Sequence, residues 1–284
     1  IIHNAWPVNF NIPVESFEPH LRGVRNIADF ATYAAKRVAV VFISSISTGD
    51  GWDTSKGAFP EKRVEDLKLA GLGYGRSKMV GSLILEDASK VGGFEAAIIR
   101  VGQIAGPEAD AGCWNKQEWL PSIIASSLYL KALPGDLGTM QRVDWTPCEK
   151  IAHLVLEVAG VLQKVPASEI SGYFHGVNPS ATSWAELAPA VQEFYGKDRI
   201  AELVSFEDWL TRLENSQSSD TQALDKNPGV KLIDSYRSMM GAGLAGTEPV
   251  VFDMTKTKER SPTMKNAQAV TPQMMKHWCE QWGF

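Results

Sequence analysis

Tyr74 and Lys78 stand four residues apart in "GLGYGRSKMVGSLILEDA", residues 71–88. Side chains at that spacing share one face of a helix, and the apolar residues that follow recur with helical period. A phenol beside an ammonium can do proton chemistry. Free tyrosine, with a pKa near 10, is a poor acid or base at neutral pH. A nearby ammonium favours the phenolate and lowers that value, which makes the phenol a usable general acid. Ser45, in "FISSIS" (42–47), offers a second hydroxyl. Two donors aimed at one oxygen stabilise the negative charge that grows on it. This is equipment for reducing a carbonyl, in which carbon takes a hydride and oxygen takes a proton. Lys78 has a second use, as a donor to a ribose hydroxyl of a nicotinamide cofactor. Judged alone, Ser45 reads as a turn residue at a strand end and Lys78 as a solvated helix lysine. The combination and its order carry the chemical reading.

The elements that must position these residues are legible. Residues 15–36 place Leu21, Val24, Ile27, Ala28, Ala31 and Ala34 at helical spacing. "RVAVVFISSIS" (37–47) and "FEAAIIRVG" (94–102) are continuous apolar runs, as in strands buried on both faces of a parallel sheet. The Tyr74 helix lies between them and ends near Gly92-Gly93. Ser45 and Val101 then fall at carboxyl ends of neighbouring strands, the edge where open α/β sheets bind ligands. Residues 49–70 read as a loop, "GLGYG" (71–75) as a flexible approach to the helix, 117–133 and 147–162 as helices, and 172–177 as a strand. The fold class is therefore α/β, a Rossmann-like doubly wound parallel sheet. Two domains are expected, 1–177 and 178–284, the second mostly helical and rich in tryptophan. In it, Ser183-x-x-Glu186 and Ser205-x-x-Asp208 read as capping boxes, 215–227 as a polar loop, and 228–240 and 271–283 as helices.

Composition narrows the function. Of 284 residues, 44% are hydrophobic and 21% charged, ordinary for a soluble globular protein. A net charge of -5 and scattered basic residues give no reason to expect nucleic acid. No apolar run approaches the ~20 residues of a membrane helix, and the opening residues do not read as a secretory signal. Cys113, Cys148 and Cys279 form no C-x-x-C pair, which argues against a disulfide framework or a zinc site and for a reducing, cytoplasmic setting. Cys148 reads as a small core residue. The five histidines show no metal-ligand spacing. "GAGLAG" (241–246) matches G-x-G-x-x-G by letter, but it follows a helical segment rather than a strand. It therefore reads as a flexible loop and not as a dinucleotide fingerprint.

Longer stretches carry a resemblance. "HNAWPVNFN", "SFEPHLRGVRNI", "FISSIS", "YGRSKMVGSLIL", "IIRVGQIAGP", "VDWTPCEKIA", "HGVNPSATSWAEL", "NPGVKLIDSY" and the closing "WCEQWGF" span nearly the whole chain in order. The chain resembles the thioester reductase domains of the extended short-chain dehydrogenase/reductase superfamily. These end fungal non-ribosomal-peptide-synthetase-like enzymes and carboxylic acid or aminoadipate reductases. The resemblance implies that Ser45, Tyr74 and Lys78 form the catalytic triad. It implies that Asn4, Ala5, Val101, Gly102, Gln103 and Ile104 line an NADP(H) site together with Tyr74 and Lys78. Trp6, Ser47, Trp114 and Trp145 are the candidates for substrate contact, although each tryptophan, judged alone, reads first as a core residue.

The implied reaction is NADPH-dependent reduction of a carrier-bound acyl or peptidyl thioester to an aldehyde, sometimes onward to the alcohol. The partner is a carrier domain whose phosphopantetheine arm presents the substrate. In the family a strand, a glycine-rich phosphate loop and a helix lie upstream of the equivalent of Ile1. Residues 1–177 therefore read as the C-terminal part of a dinucleotide-binding domain, with an apolar sheet edge exposed. Two other readings are a stand-alone aldehyde or ketone reductase and a non-catalytic module that docks a carrier protein.

Overall fold

The computed structural model describes residues 1–217, 221–244 and 249–284. Two compact units are formed, and no single cut near residue 177 divides them. The first comprises 1–104, 149–179 and 250–267; the second comprises 105–148, 180–249 and 268–284. Buried hydrogen bonds tie the late segment to the first unit. The Glu61 carboxylate accepts from Thr257 N at 2.9 Å and from Thr257 Oγ1 at 2.5 Å. His175 N donates to Thr257 Oγ1 at 2.8 Å.

The first unit is built on a four-stranded parallel sheet. Its strands run β1 (Ile2–His3), β2 (Ala39–Ser45), β3 (Glu95–Val101) and then Gly172–Gly176. Ser45 is level with Val101, and Val101 with Gly176. Helix α1 (Glu18–Tyr33) connects β1 to β2, and α2 (Gly73–Gly92) connects β2 to β3. Side chains alternate across a strand, so β2 feeds two cores. Val40 and Phe42 pack with Val24, Ala28, Leu85 and Phe94, on the side of α1 and α2. Val41 packs with Ala97, Ile99, Leu154 and Phe174 on the other side, which includes the helix Cys148–Val158. This is the expected doubly wound α/β arrangement, and it explains why both runs read as continuously apolar. Ile1 and Ile2 on the bordering strand are 45% and 43% exposed.

The end of α2 follows from one residue. Gly93 adopts φ +68°, and its N–H closes on the Ser89 carbonyl at 2.9 Å. A left-handed glycine just past the last turn is a common helix stop.

The second unit is mostly helical, with helices Trp119–Leu130, Trp184–Tyr195, Phe206–Asn215, Ile233–Leu244 and Pro272–Trp282. Tryptophans fill its core. Buried indoles need an acceptor for their N–H, and these find one. Trp184 Nε1 donates to Pro134 O at 2.7 Å, Trp209 Nε1 to Ser127 Oγ at 3.0 Å, and Trp278 Nε1 to Pro107 O at 2.8 Å.

Several local expectations change. Cys148 is exposed, because it opens its helix one turn before the buried positions Ile151, Leu154 and Val155. Ser205 caps its helix as expected, accepting from Asp208 N at 3.1 Å. Ser183 makes no such bond; its hydroxyl donates to the Glu186 carboxylate at 3.1 Å. A short helix, Thr221–Lys226, interrupts the expected polar loop, of which 218–220 lie outside the described residues. "GAGLAG" is not wholly a loop, since the helix Ile233–Leu244 runs through its first four residues; its last two lie outside the described residues.

Candidate active site

Ser45 is the last residue of β2 and leaves the sheet extended, at φ -143° and ψ 150°. It opens the short 3-10 turn Ile46–Gly49. Its Oγ accepts from Ser47 N at 3.2 Å and from Ser47 Oγ at 2.9 Å. A serine oxygen has two lone pairs and one proton. With both lone pairs engaged, the proton is left for an acceptor away from the turn.

Tyr74 lies in the first turn of α2, and two glycines let that turn come close. A β-carbon at position 73 would stand 2.4 Å from Ile12 O. One at position 75 would stand 2.6 Å from Ser47 O. These glycines serve close packing, which corrects the reading of "GLGYG" as a flexible approach. The Tyr74 ring is 8% exposed. Phe10 meets it edge to face at 4.8 Å between centroids, and Phe17 at 6.3 Å.

Burial raises the Tyr74 pKa, and a hydrogen bond with the Ser45 side chain opposes that rise. The expectation that Lys78 would lower the phenol is not met. Instead the Lys78 amine is itself pushed down, to about 7, by its own burial. Its Nζ donates to Ile43 O at 2.6 Å. It makes no ion pair among the described residues; the rings of Trp6, Phe42 and Tyr74 lie 4.7, 5.0 and 5.8 Å from it. The next turn of α2 is fixed to β2 through Ser82, whose Oγ donates to Lys78 O at 2.7 Å and meets Ser44 Oγ at 3.1 Å.

The other expected residues divide by unit. Asn4 and Ala5 follow β1 and are exposed. Val101 ends β3 and is 7% exposed, and Gly102 N donates to Gly176 O at 3.0 Å. Gln103 is half-buried and Ile104 is exposed. These residues continue the carboxyl ends of strands beside β2. Ser47 meets Ser45. Trp6 is half-buried and lies against Lys78, whose Nζ is 4.7 Å from its ring. Trp114 and Trp145 are core residues of the second unit, 3% and 1% exposed, with rings 5.8 Å apart. So deeply buried, they offer almost no surface to a substrate.

Sequence reading missed His3 and Phe42. The His3 ring stacks on Phe42 at 5.4 Å, and its buried Nε2 has no hydrogen-bond partner among the described residues. Burial, Lys78 and His20 all push its pKa down. A lone histidine beside a lone phenylalanine carries no spacing that would have marked the pair.

The residues fit a nicotinamide dinucleotide. An ammonium carries three donors, and Lys78 uses one on Ile43 O. The remaining donors suit a ribose hydroxyl. Among the described residues, no helix is long and apolar enough to cross a membrane.

The parallel sheet, with Ser45 at the carboxyl end of β2 and the buried Tyr74 and Lys78 on α2, makes a Rossmann-like fold. The chain belongs to the family described as Male sterility protein, an NAD-binding family whose profile matches residues 1–155. It is 56% identical to a carboxylic acid reductase of Neurospora crassa over 284 residues, all of this chain and 27% of that protein. It is 33% identical to an adenylate-forming reductase of Serpula lacrymans, over 99% of this chain and 26% of the relative. The chain thus spans about a quarter of the length of these relatives. In fold it matches the terminal R domain of the myxalamid PKS-NRPS pathway, with a TM-score of 0.77 at 21% identity, over 99% of this chain and 67% of the other.

Proposed function

We propose that the chain is the reductase portion of a larger enzyme that releases a carrier-bound acyl thioester as an aldehyde, with NADPH as reductant. The observation that carries this reading is the meeting of Ser45, Tyr74 and Lys78 at one sheet edge, in a chain so similar to a carboxylic acid reductase. A bound nicotinamide supplies the hydride. Tyr74, held in its protonated form by burial, donates its proton to the carbonyl oxygen. The outward proton of Ser45 gives that oxygen a second hydrogen bond. Lys78 holds the ribose and, when charged, favours proton loss from the phenol. Asn4, Ala5 and Val101 to Ile104 line the nicotinamide. The hydroxyl so formed then gives up its proton, the carbonyl re-forms as the aldehyde while the carbon–sulfur bond breaks, and the phosphopantetheine sulfur of the carrier leaves and takes up that proton as the thiol.

The test is turnover of an acyl-carrier thioester with NADPH by the wild type and by Tyr74→Phe. Loss of a general acid costs about 10²- to 10⁴-fold in rate. Undiminished turnover by the variant would overturn the assignment. Turnover of free aldehydes without turnover of the thioester would favour a stand-alone carbonyl reductase.

A further inference from the structure

A buried ammonium needs a compensating partner, because leaving water is costly for a charge. Lys78 is 3% exposed, and no carboxylate compensates it among the described residues. Its environment is one carbonyl and a set of aromatic faces. The Trp6 ring is the nearest of these, 4.7 Å from Nζ. An indole face is the strongest of the aromatic partners for a cation.

Trp6 is also held in place from several directions. Its Nε1 donates to Ser77 Oγ at 3.2 Å, and Ser77 Oγ in turn donates to Tyr74 O at 2.7 Å. Its ring meets Phe42 edge-on at 5.5 Å and lies nearly parallel to Phe17 at 6.3 Å. Gly81 leaves room for it, since a β-carbon there would stand 3.3 Å from Trp6 Cη2. One side chain thus touches the lysine and, through Ser77, the backbone of the tyrosine.

We propose that Trp6 is the positioning residue of Lys78, its indole face serving as the uncharged partner that keeps the buried amine protonated and fixed beside Tyr74. The consequence for reduction rests on the function proposed above; the charge state of Lys78 does not. Trp6 then acts through Lys78 rather than as a wall of the acyl pocket.

The groups that face this amine are few. His3 approaches from β1 and Tyr74 from α2, while His20 on α1 lies 5.5 Å from the Trp6 ring. Strand β2 carries no titratable side chain. Burial, with Lys78 and His20 adding to it, holds His3 below its ordinary value.

The direction of one titration decides the matter. The chain is labelled at lysine Cε with ¹³C, and the Lys78 resonance, assigned through Lys78→Arg, is followed with pH in the wild type, Trp6→Phe and Trp6→Leu. Leucine keeps an apolar cover and removes the π face. Its amine should titrate about one pH unit below the wild type, with phenylalanine between the two. If Trp6 only excludes water, Trp6→Leu will admit solvent and the amine will climb from about 7 toward the ordinary 10.5. A rise, or no change, overturns the proposal. Should Trp6→Leu fail to fold, Trp6→Phe and Ser77→Ala carry the test, and both must move the titration downward.

Enzyme kinetics give a second readout. In Trp6→Leu the alkaline limb of kcat against pH should move to lower pH with the NMR titration. Unchanged turnover by Tyr74→Phe would remove the functional reading and leave the titration standing, so the two claims fail separately.

Discussion

The helix residue Gly75 rests against the backbone carbonyl of Ser47, so closely that a β-carbon at 75 would stand 2.6 Å from that oxygen. Backbone cannot yield as a flexible side chain can. Replacing a helical glycine by alanine ordinarily stabilises by about 1 kcal/mol. At position 75 the sign should reverse, and reduction should be lost as the Ser47 turn moves away from α2. Gly23 in α1 is the control, because none of the described residues comes within 4 Å of its added β-carbon. Urea denaturation of Gly75→Ala and Gly23→Ala should therefore shift in opposite directions.

Ser47 aims Ser45. Its hydroxyl and its N–H both donate to Ser45 Oγ, at 2.9 and 3.2 Å. Ser47→Ala removes the first bond and frees the Ser45 proton to turn inward. One hydrogen bond is worth roughly 1 kcal/mol, so kcat should fall by about 5- to 10-fold. KM should stay near the wild-type value. A change confined to KM would instead place Ser47 in substrate binding.

The lowered pKa of Lys78 makes stability depend on pH. The unfolded chain keeps this proton up to about 10.5, whereas the folded chain releases it near 7. Between those values the unfolded state binds more protons, so this contribution to stability rises with pH. It is fully present above 10.5 and lost as pH falls through 7. The slope is at most about 1.4 kcal/mol per pH unit. Lys78→Met should flatten the curve across that window in urea melts at a series of pH values. Wild type and variant with equal slopes would show that the amine is not desolvated.

Glu61 should matter for folding although it lies outside the proposed set of Ser45, Tyr74 and Lys78. Its carboxylate accepts from Lys256 N at 2.5 Å and from both the N–H and the hydroxyl of Thr257. Glu61→Ala leaves these donors unmet in a buried setting, at a cost of about 3 kcal/mol. Glu61→Gln keeps an acceptor and should cost less. The midpoint of chemical denaturation reports both.

Much of the first unit was legible because its signals are local. "AVVFISS" and "EAAIIRV" are β-branched runs, and Tyr74 to Lys78 is one turn of an amphipathic helix. The meeting of Ser45 with Tyr74 followed from the rule that parallel strands share a carboxyl edge. What escaped was set by distance along the chain or by close contact. Nothing near Thr257 announces Glu61, almost two hundred positions earlier. Nothing in "GLGYG" tells a glycine that permits motion from one that permits contact. The electrostatic expectation failed for a related reason. Spacing puts an ammonium near a phenol, but only packing shows that aromatic rings, not water, surround it.

The chain passes between the two units after residues 104, 148, 179, 249 and 267. A ribosome that has made the whole of the sheet has still not made the segment that Glu61 binds. The nucleotide-fold half must wait, unfinished, while most of its helical neighbour is synthesised. Contacts between residues far apart in sequence slow folding because the intervening loop must close first. The two units are thus a single folding problem. One proteolytic cut or one cloning boundary cannot part them into two finished pieces, and any exchange of the helical unit between related enzymes must splice several segments at once.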